Sequence, residues 1–184
     1  MAISTPICNF GWKTPDFSLP GIDGQIWTPA RAMGPNGLLV MFICNHCPYV
    51  QAIAPRLARD CKDLAGLGVG SIAIMSNDVS RYPEDSFENM KIFSRKHDFS
   101  FPYVIDESQE TARAYDAVCT PDFFGFNRKF ELQYRGRLDS SGKNPAPGDS
   151  KRELFLAMRL VAECGQGPLE QIPSMGCSIK WREA

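Results

Sequence analysis

Little in this sequence points toward a membrane or a polyanion. No apolar run approaches the ~20 residues that a membrane-spanning helix needs, and no block of like charge stands out. Twenty basic residues offset 21 acidic ones, for a net charge of −1. The chain therefore lacks the basic patch that nucleic acid or an anionic lipid surface would select, and neither is expected as a partner. Histidine is scarce, at two residues. The C-x-x-C at Cys44 and Cys47 has no second C-x-x-C or H-x-H beside it, so the spacing does not describe a zinc knuckle, and no metal or cofactor is expected. The opening residues, 1–21, have no basic stretch followed by an apolar core and do not read as a signal peptide. Internal repeats and low-complexity tracts are missing as well.

What is present fits one ordinary α/β domain spanning residues 1–184. A chain of 184 residues buries roughly 70% of its unfolded surface and needs neither disulfides nor metal to hold a core. The apolar fraction of 43% and charged fraction of 22% are those of a globular protein. Seven cysteines are many, but they are odd in number and spread over a chain larger than a secreted disulfide scaffold. Reduced thiols in the cytoplasm are the expectation.

The patterning predicts strands alternating with helices. Asp23-Gly24, between two extended pieces at 17–20 and 25–28, reads as a hairpin turn. Leu38 to Ile43 is a continuous apolar run of strand length, as expected for a strand covered on both faces. Apolar residues then recur at helical spacing from Val50 to Ala65, with Pro55 expected to kink the helix. Val69 to Met75 makes a second buried strand. A helix is expected at 84–97, with acids Glu84 and Asp85 at its start and His97 as a cationic cap. Tyr103 to Ile105 is a short strand and 109–115 a short helix. Strands at 123–126 and 132–135, a polar loop over 137–150 and a helix over 151–164 follow. Residues 165–184 show little periodicity and read as a tail. Together these describe an α/β sandwich around a mixed sheet.

Cys44-Asn45-His46-Cys47-Pro48 lies at the exit of a buried strand and the mouth of a helix. Free N–H groups and the dipole at a helix N-terminus favour a thiolate there. Proline is preferred at the first helical position, where its missing N–H costs nothing. Pro48 therefore makes Cys47 the N-cap and the nucleophile, with Cys44 as its partner on the preceding loop. His46 can raise the thiolate content when protonated, or shuttle a proton.

The run Phe42-Ile43-Cys44-Asn45-His46-Cys47-Pro48 resembles the active-site entry of the thioredoxin and peroxiredoxin superfamily. Thr14-Pro15-Asp16-Phe17-Ser18-Leu19-Pro20 with Asp23-Gly24 resembles the opening of its redoxin (AhpC/TSA-like) branch. Cys119-Thr120-Pro121-Asp122-Phe123-Phe124, Tyr134-Arg135-Gly136-Arg137 and Pro173-Ser174-Met175-Gly176-Cys177 resemble a thioredoxin-like subgroup with the same C-N-H-C-P motif. The resemblance implies a thioredoxin-like three-layer sandwich with an N-terminal β-hairpin and a C-terminal tail extension. It implies a cis bond at Thr120-Pro121, with Pro121 facing the catalytic cysteine and the Thr120-Pro121 loop, with Pro48, lying against substrate. Thioredoxins carry their second cysteine where Val50 stands here, and a buried acid where Met41 stands. Peroxiredoxins carry Thr where Cys44 stands and an arginine across the pocket, for which Arg135 and Arg137 are the candidates.

The expected activity is thiol–disulfide exchange on a protein disulfide, with Cys47 attacking and Cys44 resolving. The alternatives are a thiol peroxidase, in which Cys47 becomes a sulfenic acid, and a metal-binding or redox-sensing module using Cys44, Cys47 and His46. Cys119 and Cys177 are candidates for a further resolving thiol, Cys177 on a tail without helical or strand period. Cys61 and Cys164 are assigned to helix packing, as are Trp12, Trp27 and Trp181 to the core. The sequence does not disclose the reducing partner or the oligomeric state.

Overall fold

Leu38 to Phe42 is apolar at every position because the strand it forms is covered on both sheet faces. The computed structural model describes residues 2–183. In chain order its elements are β1 (Ala2–Ser4), β2 (Leu19–Pro20), β3 (Ile26–Trp27), α1 (Pro29–Ala32), β4 (Gly37–Phe42), α2 (Pro48–Gly66) and β5 (Val69–Met75). A 3₁₀ turn (Pro83–Asp85) leads to α3 (Phe87–Lys96), β6 (Tyr103–Ile105), α4 (Glu110–Ala114), β7 (Cys119–Thr120), β8 (Asp122–Phe126), β9 (Leu132–Tyr134), α5 (Glu153–Cys164) and β10 (Met175–Ser178).

The central sheet has the order β6-β5-β4-β8-β9. β4, β5 and β6 run parallel, while β8 and β9 run antiparallel to their neighbours. On one face Leu39 and Met41 pack against Val50, Ile53, Leu57 and Leu64 of α2, Met90 and Phe93 of α3, and Met158 of α5. On the other, Leu38, Val40 and Phe42 meet Phe17, Leu19, Tyr115, Phe124 and Phe126. Each such side chain contributes ~2 kcal/mol by leaving water. The result is the expected thioredoxin-like layering, helices flanking a mixed sheet. The hairpin is present too: β2 pairs with β3, and Gly24 supplies the positive φ of 77° that the turn requires.

α2 is continuous through Pro55. Three features depart from the sequence expectations. The helix expected from residue 84 begins at Phe87, because the Ser86 side chain caps it through Asn89 N–H and Asp85 turns inward instead. His97 does close α3, but burial and neighbouring Lys96 hold its pKa below the ordinary value, and its ring packs on Phe93 and Phe99. The C-terminal segment is not an unpatterned tail. Its residues form β10, the middle strand of a second, antiparallel sheet ordered β1-β10-β7. Four residues are too few for periodicity to show, and Gly176 and Ser178 hide the alternation.

Candidate functional site

The loop from Ile43 to Cys47 leaves the carboxyl end of β4, where the sheet switches from parallel to antiparallel pairing. Crevices at such ends are habitual sites in open α/β sheets. Cys47 is the N-cap of α2, with an extended backbone (φ −67°, ψ 122°), and Pro48 takes the first helical position on the surface. All seven cysteines are free thiols. Cys44 and Cys47 are sealed from solvent, at 1% and 0% exposure.

The two thiols are electrically unequal. A hydrogen bond from Cys44 is the largest influence on Cys47 and holds its pKa far below the ordinary thiol value, against burial. The N–H of Val50, in the first turn of α2, together with the Thr120 hydroxyl and the N–H of Cys177, adds to that effect. In its protonated form Cys47 does not close a cap hydrogen bond but donates to the Thr120 carbonyl at 3.2 Å. Cys44 moves the opposite way. Its proton is retained by the bond to Cys47, by burial and by the nearby Asp85 charge. Thr120 Oγ1 sits 3.4 Å from Cys44 Sγ, and the Thr120–Pro121 peptide is cis.

Asp85 organises the loop and lies ahead of α3 rather than in its first turn. Fully buried, it accepts from Asn45 N (2.8 Å), His46 N (3.2 Å), His46 Nδ1 (2.6 Å) and Asn77 Nδ2 (2.8 Å). A carboxylate only accepts, so Nδ1 of His46 carries the hydrogen. The His46 ring, partly exposed, stacks on Tyr82 at 5.3 Å. Asn45 is locked by Tyr103 OH (3.0 Å) and by its own bond to the Glu84 carbonyl (3.1 Å). Nothing in the sequence around Asp85 marks this role. Its contact with the loop bridges a gap that no local pattern spans. Cys44 Sγ, His46 Nδ1 and Asp85 Oδ2 lie within 4.8 Å of one another and form the one group among the described residues able to hold a metal ion.

The C-terminal strand completes the enclosure. Cys177 is the register partner of Thr120 and Ser178 of Cys119. The Cys177 thiol interacts with Cys47, and burial with that contact raises its pKa. Cys177 is thus brought to the pair, while Cys119 is buried nearby and bonds to the Pro121 carbonyl at 3.5 Å. The Thr120–Pro121 loop is therefore not an open platform. Thr120 is 3% exposed and its strand is already paired by β10, contrary to the expectation that a substrate chain lies along it. Of the candidate arginines, Arg135 is buried against Asp122 (3.0 Å) and Arg137 pairs with Glu153 (2.7 Å). Cys61 packs as expected, donating to Met41 Sδ at 3.8 Å, whereas Cys164 is exposed at the end of α5 rather than packed.

A buried cysteine pair at the mouth of α2, opposite a cis proline, on a mixed sheet flanked by helices defines a thioredoxin-like protein. The chain belongs to the AhpC/TSA family, which residues 10–138 match. It resembles an uncharacterized conserved protein from Geobacillus kaustophilus, at 40% identity over 100% of this chain and 98% of that one, with a TM-score of 0.93. A hypothetical protein from Sinorhizobium meliloti is 37% identical over 98% of both chains, with a TM-score of 0.88. A thiol:disulfide interchange protein of the thioredoxin family from Chlorobium tepidum shares the fold, at 16% identity over 86% of this chain and 98% of that one, with a TM-score of 0.63. No curated protein matches the chain in sequence. No helix among the described residues is long and apolar enough to cross a membrane.

Proposed function

We propose that the protein is a thiol–disulfide oxidoreductase in which Cys47 is the nucleophile and Cys44 the resolving thiol. The observation that supports this reading best is the place of Cys47 as the N-cap of α2, with Pro48 at the first helical position and Cys44 on the loop before it, since the free N–H groups and dipole of a helix N-terminus favour a thiolate. A thiolate, not a thiol, attacks a disulfide. In the first step the Cys47 sulfur bonds to one substrate sulfur, and the other leaves as a thiolate that takes up a proton. In the second, Cys44 gives up its proton and attacks Cys47 Sγ. The Cys44–Cys47 bond forms, the bond to substrate breaks, and the second substrate thiolate leaves and is protonated. The substrate disulfide gains two electrons and the protein dithiol loses them.

His46, its Nδ1 4.0 Å from Cys44 Sγ, already donates that nitrogen's hydrogen to Asp85, so it holds the loop beside Cys44 rather than accepting the Cys44 proton there. Pro121 shapes the wall facing Cys47, and Pro48 sets the helix start that activates it. Thiol peroxidase chemistry is the rival within the same family, and it would use Cys47 as the peroxidatic thiol. The two are separated by following the reduced protein against a disulfide and, in parallel, against hydrogen peroxide. The oxidoreductase reading expects the disulfide reaction to be faster by about tenfold or more at equal concentration. The reverse order would make the peroxidase reading the correct one.

A further inference from the structure

We infer that strand β10 makes this site selective for small disulfides over polypeptide ones, because it fills from within the chain the edge a polypeptide would need. The inference rests on the oxidoreductase reading and adds a substrate class to it. An extended peptide is recognised at a sheet edge through main-chain hydrogen bonds, which requires that edge to be free. Beside Cys47 the edge is Thr120, whose carbonyl takes the Cys47 thiol hydrogen, and β10 occupies it in register through Cys177. Gly176 lies so close that a Cβ there would stand 2.0 Å from Thr120 O and 2.9 Å from Pro121 N.

The strand is held on every side. β1 pairs along its other edge, Ala2 with Cys177 and Ser4 with Met175. Before it, Ser174 Oγ donates to the Pro121 carbonyl at 2.8 Å, and Ser174 exchanges bonds with Thr5. After it, Lys180 N donates to Asn77 Oδ1 at 2.9 Å and the Lys180 carbonyl accepts from Asp78 N and Gln109 Nε2. A polypeptide would have to remove a strand bonded to two neighbours. β10 also lies outside the 10–138 segment that matches the family, so this closure is an addition to the family's common part.

What stays open is a cavity of about 500 Å³ against Pro121, lined by Tyr49, Phe123, Leu138, Ile172 and Met175. That is the size of a small-molecule site and its lining is mostly apolar, as such sites are. Tyr49 and Met175 are the near sequence neighbours of Cys47 and Cys177. Cys47 does not itself line the cavity; an approach from this side is assigned to the small disulfide because it displaces no paired strand.

The test follows the fully reduced protein in single turnover against hydroxyethyl disulfide and against insulin. Reaction with hydroxyethyl disulfide and at least about tenfold slower reaction with insulin is expected. Equal rates would overturn the proposal, and reaction with neither would overturn the oxidoreductase reading beneath it. Gly176→Val, which forces β10 off Thr120, should raise the insulin rate about tenfold and leave the hydroxyethyl disulfide rate within about twofold. If that variant does not fold, Thr5→Ala, which loosens the start of the strand, carries the same expectation at smaller amplitude. A folded variant with no gain on insulin would overturn the role of β10.

Discussion

His46 Nδ1 donates to the Asp85 carboxylate over 2.6 Å and so ties the Cys44–Cys47 loop to a turn 39 residues downstream. Asp85 also accepts from two loop N–H groups and from Asn77, which in turn holds Lys180 N after β10. One buried carboxylate thus fixes both the loop that carries the thiols and, through Asn77, the strand that covers them.

Removing that acceptor leaves buried donors unpaired, which is costlier than losing an average hydrogen bond. Asp85→Ala should lower unfolding free energy by ~3 kcal/mol in urea titration. His46→Gln, which removes one partly exposed partner, should cost ~1 kcal/mol. Equal losses from both substitutions would show that the backbone contacts of Asp85 contribute little.

Cys47 should carry the reactivity at low pH. Its pKa is depressed by the hydrogen bond from Cys44 and the first turn of α2, so the thiolate persists as pH falls, whereas an ordinary thiol loses reactive form about tenfold per pH unit. The sign for stability follows: the reduced protein gains from this group at a pH above the ordinary thiol range and loses the gain as pH falls through the depressed value. Iodoacetamide labelling mapped by mass should find Cys47 first among the seven from about pH 5 to 7. Faster labelling at Cys44 would contradict the N-cap argument from Pro48. The same profile should steepen in Cys44→Ala, which deletes the chief stabilising donor and so raises the Cys47 midpoint.

The fold was legible where the sequence repeats a pattern long enough to be seen. The apolar run 38–43, the helical spacing after Val50 and the Asp23-Gly24 turn each located an element, and Pro48 located the start of α2 to the residue. The site was half legible. Cys44, Cys47 and Thr120-Pro121 carried motifs, but Asp85 did not, because its partners Asn45, His46 and Asn77 are near only in space. β10 escaped for a related reason. Its four residues, one of them glycine, gain their structure from β1, at the other end of the chain, and from β7, in mid-chain. Tertiary pairing decides such strands, not propensity.

Cys177 stands beside Cys47 yet is fixed in the middle strand of a sheet. Cys177→Ser should leave turnover within about twofold and the oxidised protein with the Cys44–Cys47 bond alone. Disappearance of a Cys47–Cys177 peptide together with a fall in turnover would make the strand part of the electron path.

The Cys44, His46 and Asp85 grouping invites a metal, but Asp85 already accepts from four protein donors. Exhaustive chelation should leave the disulfide reaction unchanged. Loss of activity restored by a divalent ion would favour the metal-binding reading.

The division of labour between the two thiols is tested most directly by trapping the mixed disulfide. Cys44→Ser, treated while reduced with hydroxyethyl disulfide and digested for mass mapping, should carry one substrate half on Cys47 and hold it. Cys47→Ser under the same treatment should carry none on Cys44. An adduct on Cys44 in the second variant, or none on Cys47 in the first, would contradict the assignment of Cys47 as nucleophile.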